Sequence, residues 1–361
     1  MSAPDRDGPS RRTSARRVSV RGTSSRHAPR VAGHPLPALL ASSDDPDVAA
    51  WRDGLPALVD GLLDRWGLTA GAPFEPGGSS AWVAPVREAD GAQRVLKVAW
   101  AHDEARDEAA GMAAWQGRGA ARVHRQEQQG QTSALLLERV WPGRPLAELL
   151  DWPRRDEIVA AVAQQLWVPP AELVEAPAER VGAEEVGTER VGTERVGRFR
   201  PLAQMCARWA DSAQQRADMG DSPLPAELVT YGLELFRELP RQWDGEAVLL
   251  ATDLHPGNVL VAEGDGTAAD GAHESPDGRR WVLIDPKPYV GDPHYDLLQH
   301  MFNDPDRLRG QPVAFVERMA GLAGLDPWRL RQWLFARCVQ ESGVLAAASE
   351  AAQLLADAGV D

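Results

Sequence analysis

Leu55, Leu58, Val59, Leu62, Leu63 and Trp66 recur at steps of three and four, which places them on one face of a helix within DDPDVAAWRDGLPALVDGLLDRWGL, residues 44–68. Beyond the breaker GAPFEPGG the period shortens. SSAWVAPV (79–86) and QRVLKVAW (93–100) are β-branched or aromatic runs, and the READGA between them carries the Asp-Gly pair of a hairpin. HDEARDEAAGMAAWQGRG (102–119) reads as a helix stopped by Gly117 and Gly119, and SALLLERV (133–140) as a buried strand. Helix, strand, strand, helix and strand in that order predict a small antiparallel sheet with a helix against it. Most of the remainder reads helical, from AELLDWPRRDEIVAAVAQQLW to the Ala-rich end.

Three segments break the pattern. Residues 1–45 are rich in Arg and Ser and poor in apolar side chains, so a disordered tail is expected there, because such a segment buries too little surface to offset ordering. The repeat AERVG AEEVG TERVG TERVG, residues 178–197, has units too short for a solenoid and reads as an expanded surface loop. The polar stretch 263–280 separates VLVA from WVLIDPK, two runs that would pair as a hairpin with an overgrown tip. Loop-closure cost rises slowly enough with length to allow it. The expected organisation is a tail over 1–45, a small lobe over 46–138 and a helical lobe over 139–361 that contains both insertions.

Composition narrows the class. Forty-three per cent hydrophobic and 25% charged residues are ordinary for a globular protein. A formal charge of −14 argues against a nucleic-acid coat and suits a cationic small-molecule partner. Cys206 and Cys338 lie far apart outside any CxxC pattern, which points to a reducing cytoplasm without disulfides. No apolar run reaches the roughly 20 residues of a spanning helix, so no membrane role is expected.

The candidate chemistry centres on ATDLHPGNVLVAE, residues 251–263. Asp253 is followed at five residues by Asn258, and Asp285 ends the apolar run WVLI. Asp-x-x-x-x-Asn, a strand and then an Asp is the arrangement used in kinase-type phosphoryl transfer. A carboxylate at a turn can take the proton of an attacking hydroxyl, the role of Asp253. An amide oxygen and a second carboxylate suit Mg²⁺ accompanying ATP, the role of Asn258 and Asp285. A competing reading makes Asp253, His255 and Asp285 ligands of a hydrolytic metal.

The upstream half favours the kinase. Lys97 sits inside an apolar strand, where a lone charge is costly unless paired, and Glu108 or, one turn earlier, Glu104 can pair with it. Ser79 and Ser80, with Gly77 and Gly78 before them, form a small-residue loop able to approach phosphate. Glu138 and Val140 fall where two lobes would join and are candidate main-chain contacts to adenine.

Taken together, GGSSAWVAPVREADGAQRVLKVAW, LLLERVWPGRPL, DLHPGNVL and WVLIDPKPYVGDPHYDLL resemble the aminoglycoside phosphotransferase family, in its streptomycin 6-phosphotransferase and hydroxyurea phosphotransferase group. The resemblance implies an α+β bilobal protein-kinase-like fold and transfer of the γ-phosphoryl group of ATP, with Mg²⁺, to a hydroxyl of a small molecule, an aminoglycoside such as streptomycin favoured. It implies Asp253 as catalytic base, Asn258 and Asp285 as metal ligands and Lys97–Glu108 as the phosphate-anchoring pair. Lys287 would meet phosphate or substrate, Glu341 would meet a cationic acceptor, and Asp292 and Asp296 would fix the loop and cap the next helix. One departure stands out: the family usually has His-Gly immediately before the catalytic Asp, and here the pair is Ala251-Thr252. That departure motivates the alternative of a nucleotide-binding pseudokinase, and a kinase of another small metabolite is the other alternative.

Overall fold

The computed structural model describes residues 30–101, 103, 106–169, 199–263 and 275–360. The repeat at 178–197 and Glu104 therefore lie outside the described residues, as do residues 1–29 and most of the second insertion.

Residues 30–45, expected within a solvated tail, are instead built into the fold. A hairpin of β1 (Arg30–Val31) and β2 (His34–Pro35) leads into α1 (Ala38–Ala41). Its few apolar residues are well placed: Val31 and Leu40 are fully buried against α2 (Pro46–Trp66). Composition averaged over the segment hides two such anchors. Asp45 caps α2 by accepting from the amides of Asp47 and Val48 at 2.8 and 3.2 Å, and Gly67 ends it in the left-handed conformation.

Then come β3 (Thr69–Ala70), β4 (Ala81–Arg87), β5 (Gln93–Trp100), α3 (Glu108–Trp115), β6 (Val123–Gln129) and β7 (Thr132–Glu138). The five strands form one antiparallel sheet in the order β3-β4-β5-β7-β6. Along β5 successive side chains alternate between faces. Leu96 and Val98 pack toward α2, whereas Lys97, opposite Val83 and Leu135, takes the other face. The helix expected from residue 102 begins only at Glu108, because Asp103 and Asp107 are drawn to arginines elsewhere in the fold. Edge strand β6, VHRQEQQ, is too polar to be legible as a strand; its exposure requires that polarity.

The remainder is β8 (Pro142–Pro145), α4 (Leu146–Leu149), α5 (Trp152–Leu166), α6 (Leu202–Asp218), α7 (Ala226–Glu238), β9 (Val248–Leu250), β10 (Val259–Ala262), β11 (Arg280–Leu283), β12 (Tyr289–Gly291), a 3-10 turn (Pro293–Leu297), α8 (Leu298–Phe302), α9 (Pro305–Gly310), α10 (Pro312–Ala323), α11 (Pro327–Glu341) and α12 (Ala346–Asp357). β10 and β11 form the expected antiparallel hairpin, Val259 facing Leu283. β9 pairs with β12, which brings Leu250 beside Tyr289. The large core of the helical part contains Phe236, Tyr295 and Trp333, and a smaller cluster of Met112, Leu135, Leu137, Ala262 and Val282 joins the sheet to the hairpin. Among the described residues no helix is long and apolar enough to cross a membrane.

Candidate active site

Three chain segments converge at the junction of the sheet and the β10–β11 hairpin. Lys97 Nζ lies 2.7 Å from Glu108 Oε1 and 2.5 Å from Asp285 Oδ1. The side chains of Lys97 and Glu108 are only 10% and 3% exposed, whereas that of Asp285 is 54% exposed. Burial alone would lower the Lys97 pKa, but the two carboxylates outweigh it and hold the ammonium well above its usual value. Glu108 is pushed upward by burial and by Asp285, against the pull of Lys97.

The 251–258 turn is held on every side. Asn258 donates its Nδ2 to the Asp253 carbonyl at 3.2 Å, which makes its amide oxygen the candidate ligating atom. The Asn258 carbonyl accepts from the Ile284 amide at 2.8 Å, so this turn and Asp285 are tied through one backbone bond. Asp253 Oδ2 lies 3.1 Å from Lys287 Nζ, and Oδ1 lies 3.8 Å from His255 Nε2. His255 Nδ1 accepts from the Gly257 amide at 3.1 Å, and burial lowers the pKa of its ring against the opposing pull of Asp253. The hydrolytic-metal alternative finds no support, since among the described residues no three His, Cys, Asp or Glu side chains form a metal-binding group.

The Ala251-Thr252 departure is accommodated by contacts invisible in the local sequence. Thr252 adopts φ +51°, a conformation rare for a β-branched residue, and its hydroxyl donates to the Lys287 carbonyl at 2.5 Å. Asp296, fully buried, accepts from the Ala251 amide at 3.2 Å, the Thr252 amide at 2.6 Å and the Trp167 indole at 3.1 Å. Burial pushes its carboxyl up to about 6 despite those three donors. Asp296 thus fixes the turn, while Asp292 caps the 3-10 segment through the His294 amide and also meets Arg329 and Trp333, each at 2.6 Å.

The small-residue loop is braced from the N-terminal segment. The Ala38 amide donates to Glu75, the Leu39 amide donates to the Pro76 carbonyl, both at 3.0 Å, and a Cβ at Gly77, where φ is +75°, would meet Pro37 at 2.5 Å. Ser79 stands exposed and Ser80 half-buried beyond it. At the joining segment the Glu138 amide is already given to the Arg122 carbonyl at 2.8 Å, and its carboxylate is forked by Arg280 at 2.7 and 3.1 Å. Of the two main-chain groups of Glu138, only the carbonyl remains a candidate adenine contact. Val140 is buried beside it.

Beside Asp253 opens a cleft of about 180 Å³. Thr252, Lys287 and Tyr289 line it with Met205 and Trp209 of α6, Gln299 of α8 and Arg337 of α11. Glu341, expected to offer a carboxylate here, is not among the lining residues. It is paired with Arg337 at 2.6 Å, one helical turn away, and the Arg337 guanidinium reaches the cleft by stacking on Trp209, 4.4 Å from the ring centroid. A cation therefore lines the wall where an anion was expected. No motif marks Trp209, Gln299 or Arg337; only packing of three helices brings them to Asp253.

The sequence profile of the aminoglycoside/hydroxyurea antibiotic resistance kinase family matches residues 65–193 and 171–349. A hydroxyurea phosphotransferase from Kitasatospora aureofaciens is 32% identical over 289 residues, 80% of this chain and 72% of that one. A streptomycin 6-kinase from Streptomyces glaucescens is 31% identical over 314 residues, 85% and 88% of the two chains. Among solved structures, the apo form of a thermostable mutant of aminoglycoside phosphotransferase APH(4)-Ia resembles it with TM-score 0.42 and 20% identity, covering 82% of this chain and 96% of that one.

Proposed function

The chain belongs to the aminoglycoside/hydroxyurea antibiotic resistance kinase family, and from that premise we propose that it transfers the γ-phosphoryl group of ATP to a hydroxyl of a small antibiotic-like molecule, streptomycin being the acceptor to test first. It is a small-molecule kinase with a bilobal protein-kinase-like fold, and the division at Glu138 into a nucleotide-binding lobe and an acceptor-binding lobe is part of the same reading. It would act in the cytoplasm.

The observation that carries the reading is the convergence of Lys97, Glu108 and Asp285 within hydrogen-bond reach while Asn258 and Asp253 stand on the adjoining turn. Asp253 orients the acceptor hydroxyl and takes its proton. Lys287, 3.1 Å away, pairs with that carboxylate and offers a charge to the transferred group. Lys97, aligned by Glu108, holds the donor phosphates, and Ser79 and Ser80 approach them from the loop above. Asn258 and Asp285 would supply oxygen donors of the kind a Mg²⁺ ion prefers, one amide and one carboxylate. The ion would neutralise charge developing on the phosphates. The Glu138 carbonyl and the main chain of Val140 would meet the adenine edge, and Glu341 bears on the acceptor through Arg337.

Purified protein with labelled ATP, screened against streptomycin, other aminoglycosides and hydroxyurea, tests the substrate. In the Asp253→Ala variant turnover is expected to fall by about 10²–10⁴-fold with nucleotide binding retained. Unchanged turnover would remove Asp253 from the mechanism.

A further inference from the structure

Ahead of α3, two carboxylates are held by two arginines from the helical part of the chain, Arg200 and Arg208. Arg200 is 1% exposed, and it donates through Nε to Asp107 at 2.7 Å and through Nη1 to Asp103 at 3.1 Å. Its guanidinium lies 4.6 Å from the ring centroid of Tyr289, a residue of the acceptor cleft, and its carbonyl accepts from the Val290 amide at 2.9 Å. Arg208 reaches both Asp103 and, at 3.1 Å, the Tyr289 hydroxyl.

Asp107 occupies the N-cap of α3, where an Asp ordinarily accepts from the helix's own first amides. Here its carboxylate makes no such bond and is turned to Arg200. The next residue is Glu108, the partner of Lys97. Three residues further on, Gly111 is so close to Pro288 that a Cβ there would lie 2.3 Å from the proline ring. The helix that presents Glu108 is thus seated at two points against the segment running from Asp285 to Tyr289.

A buried ion pair of this kind is poor evidence for stability, because desolvation offsets much of its attraction. Its placement next to Glu108 gives it another consequence. We infer that Arg200 is a positioning residue for phosphoryl transfer: gripping Asp107 from the Tyr289 side, it sets the first turn of α3 so that Glu108 aligns Lys97 on the nucleotide. The inference rests on the reading of Lys97 as the phosphate anchor, and it makes nucleotide affinity depend on a residue that touches no part of the nucleotide.

The test is a double-mutant cycle read by calorimetric titration of magnesium–AMP-PNP. It uses the full chain as wild type, Asp107→Asn, Arg200→Lys, Lys97→Met and the two double variants containing Lys97→Met. Asp107→Asn and Arg200→Lys are each expected to weaken binding about tenfold, and neither to weaken it further once Lys97 is gone. Asp107→Asn keeps the side-chain size and leaves Arg200 its bond to Asp103, so it carries the test should Arg200→Lys fail to fold. Wild-type affinity in the folded single variants, or a tenfold loss repeated in the Lys97→Met background, would overturn the inference. Lys97→Met binding as tightly as wild type would instead sink the phosphate-anchor reading, and this inference with it, before any double variant is needed.

Discussion

Replacing Thr252 by Gly removes a side chain from a left-handed backbone position, yet little stability should be gained. At φ +51° a residue with a Cβ carries about 1–2 kcal/mol of left-handed strain, which Gly would relieve. Against this, the bond from the Thr252 hydroxyl to the Lys287 carbonyl contributes about 1 kcal/mol. The freer unfolded chain of the Gly variant costs about 0.4–1 kcal/mol more. The terms nearly cancel, so Thr252→Gly should lie within about 1 kcal/mol of wild type. Thr252→Val keeps the strain and loses the bond, and should be less stable by about 1 kcal/mol. The same bond holds Lys287, whose ammonium lies 3.1 Å from Asp253, so phosphoryl transfer by Thr252→Val should slow about tenfold at unchanged KM for ATP. Urea-denaturation midpoints and steady-state rates decide it. A Thr252→Gly variant stabilised by about 2 kcal/mol or more, or a Thr252→Val variant matching wild type, would refute the balance of strain and hydrogen bond.

Other perturbations bear on separate contacts. Gly111→Ala inserts a methyl group 2.3 Å from Pro288, so α3 must shift; a loss of about 1–3 kcal/mol in thermal stability and a raised KM for ATP are expected, checked by calorimetry and initial rates. Asp156, fully buried, accepts two bonds from Arg307 and one from Arg318 and pairs with His300, all at 2.7 Å, and Asp156→Asn should cost about 3–5 kcal/mol in urea denaturation. Burial alone would raise the Asp156 pKa, but these partners outweigh it and hold the carboxyl well below the usual range. Its contribution is therefore complete above about pH 4 and fades as pH falls toward its folded pKa, so the gap between wild type and Asp156→Asn should narrow in acid.

The central part of the site was legible because its chemistry is carried by local sequence. Lys97 inside an apolar strand, Asp253 and Asn258 in one turn, and Asp285 at the end of a strand each break a hydrophobic pattern, and a charge in such a place needs a partner or a task. Composition alone hides the order from residue 30 onward because a few apolar residues, Val31 and Leu40 foremost, seal the segment against α2. Strand β6 escaped notice because an edge strand facing water lacks the apolar period that marks its neighbours.

Read alone, the sequence determined the succession α2, β4, β5, α3 and β7, the hairpin that leads to Asp285 and the residue types that could bind a nucleotide, since turns, strand alternation and helix faces depend on neighbours a few positions away. Tertiary structure decided what holds those groups in place: Asp296 on the amides of Ala251 and Thr252, Arg200 on Asp107, and Arg337 in the cleft wall where Glu341 was expected. Those partners stand 45 and 44 residues apart in the first case and 93 in the second. Over such separations no local propensity acts, and only the packing of helices against the sheet chooses which charges meet.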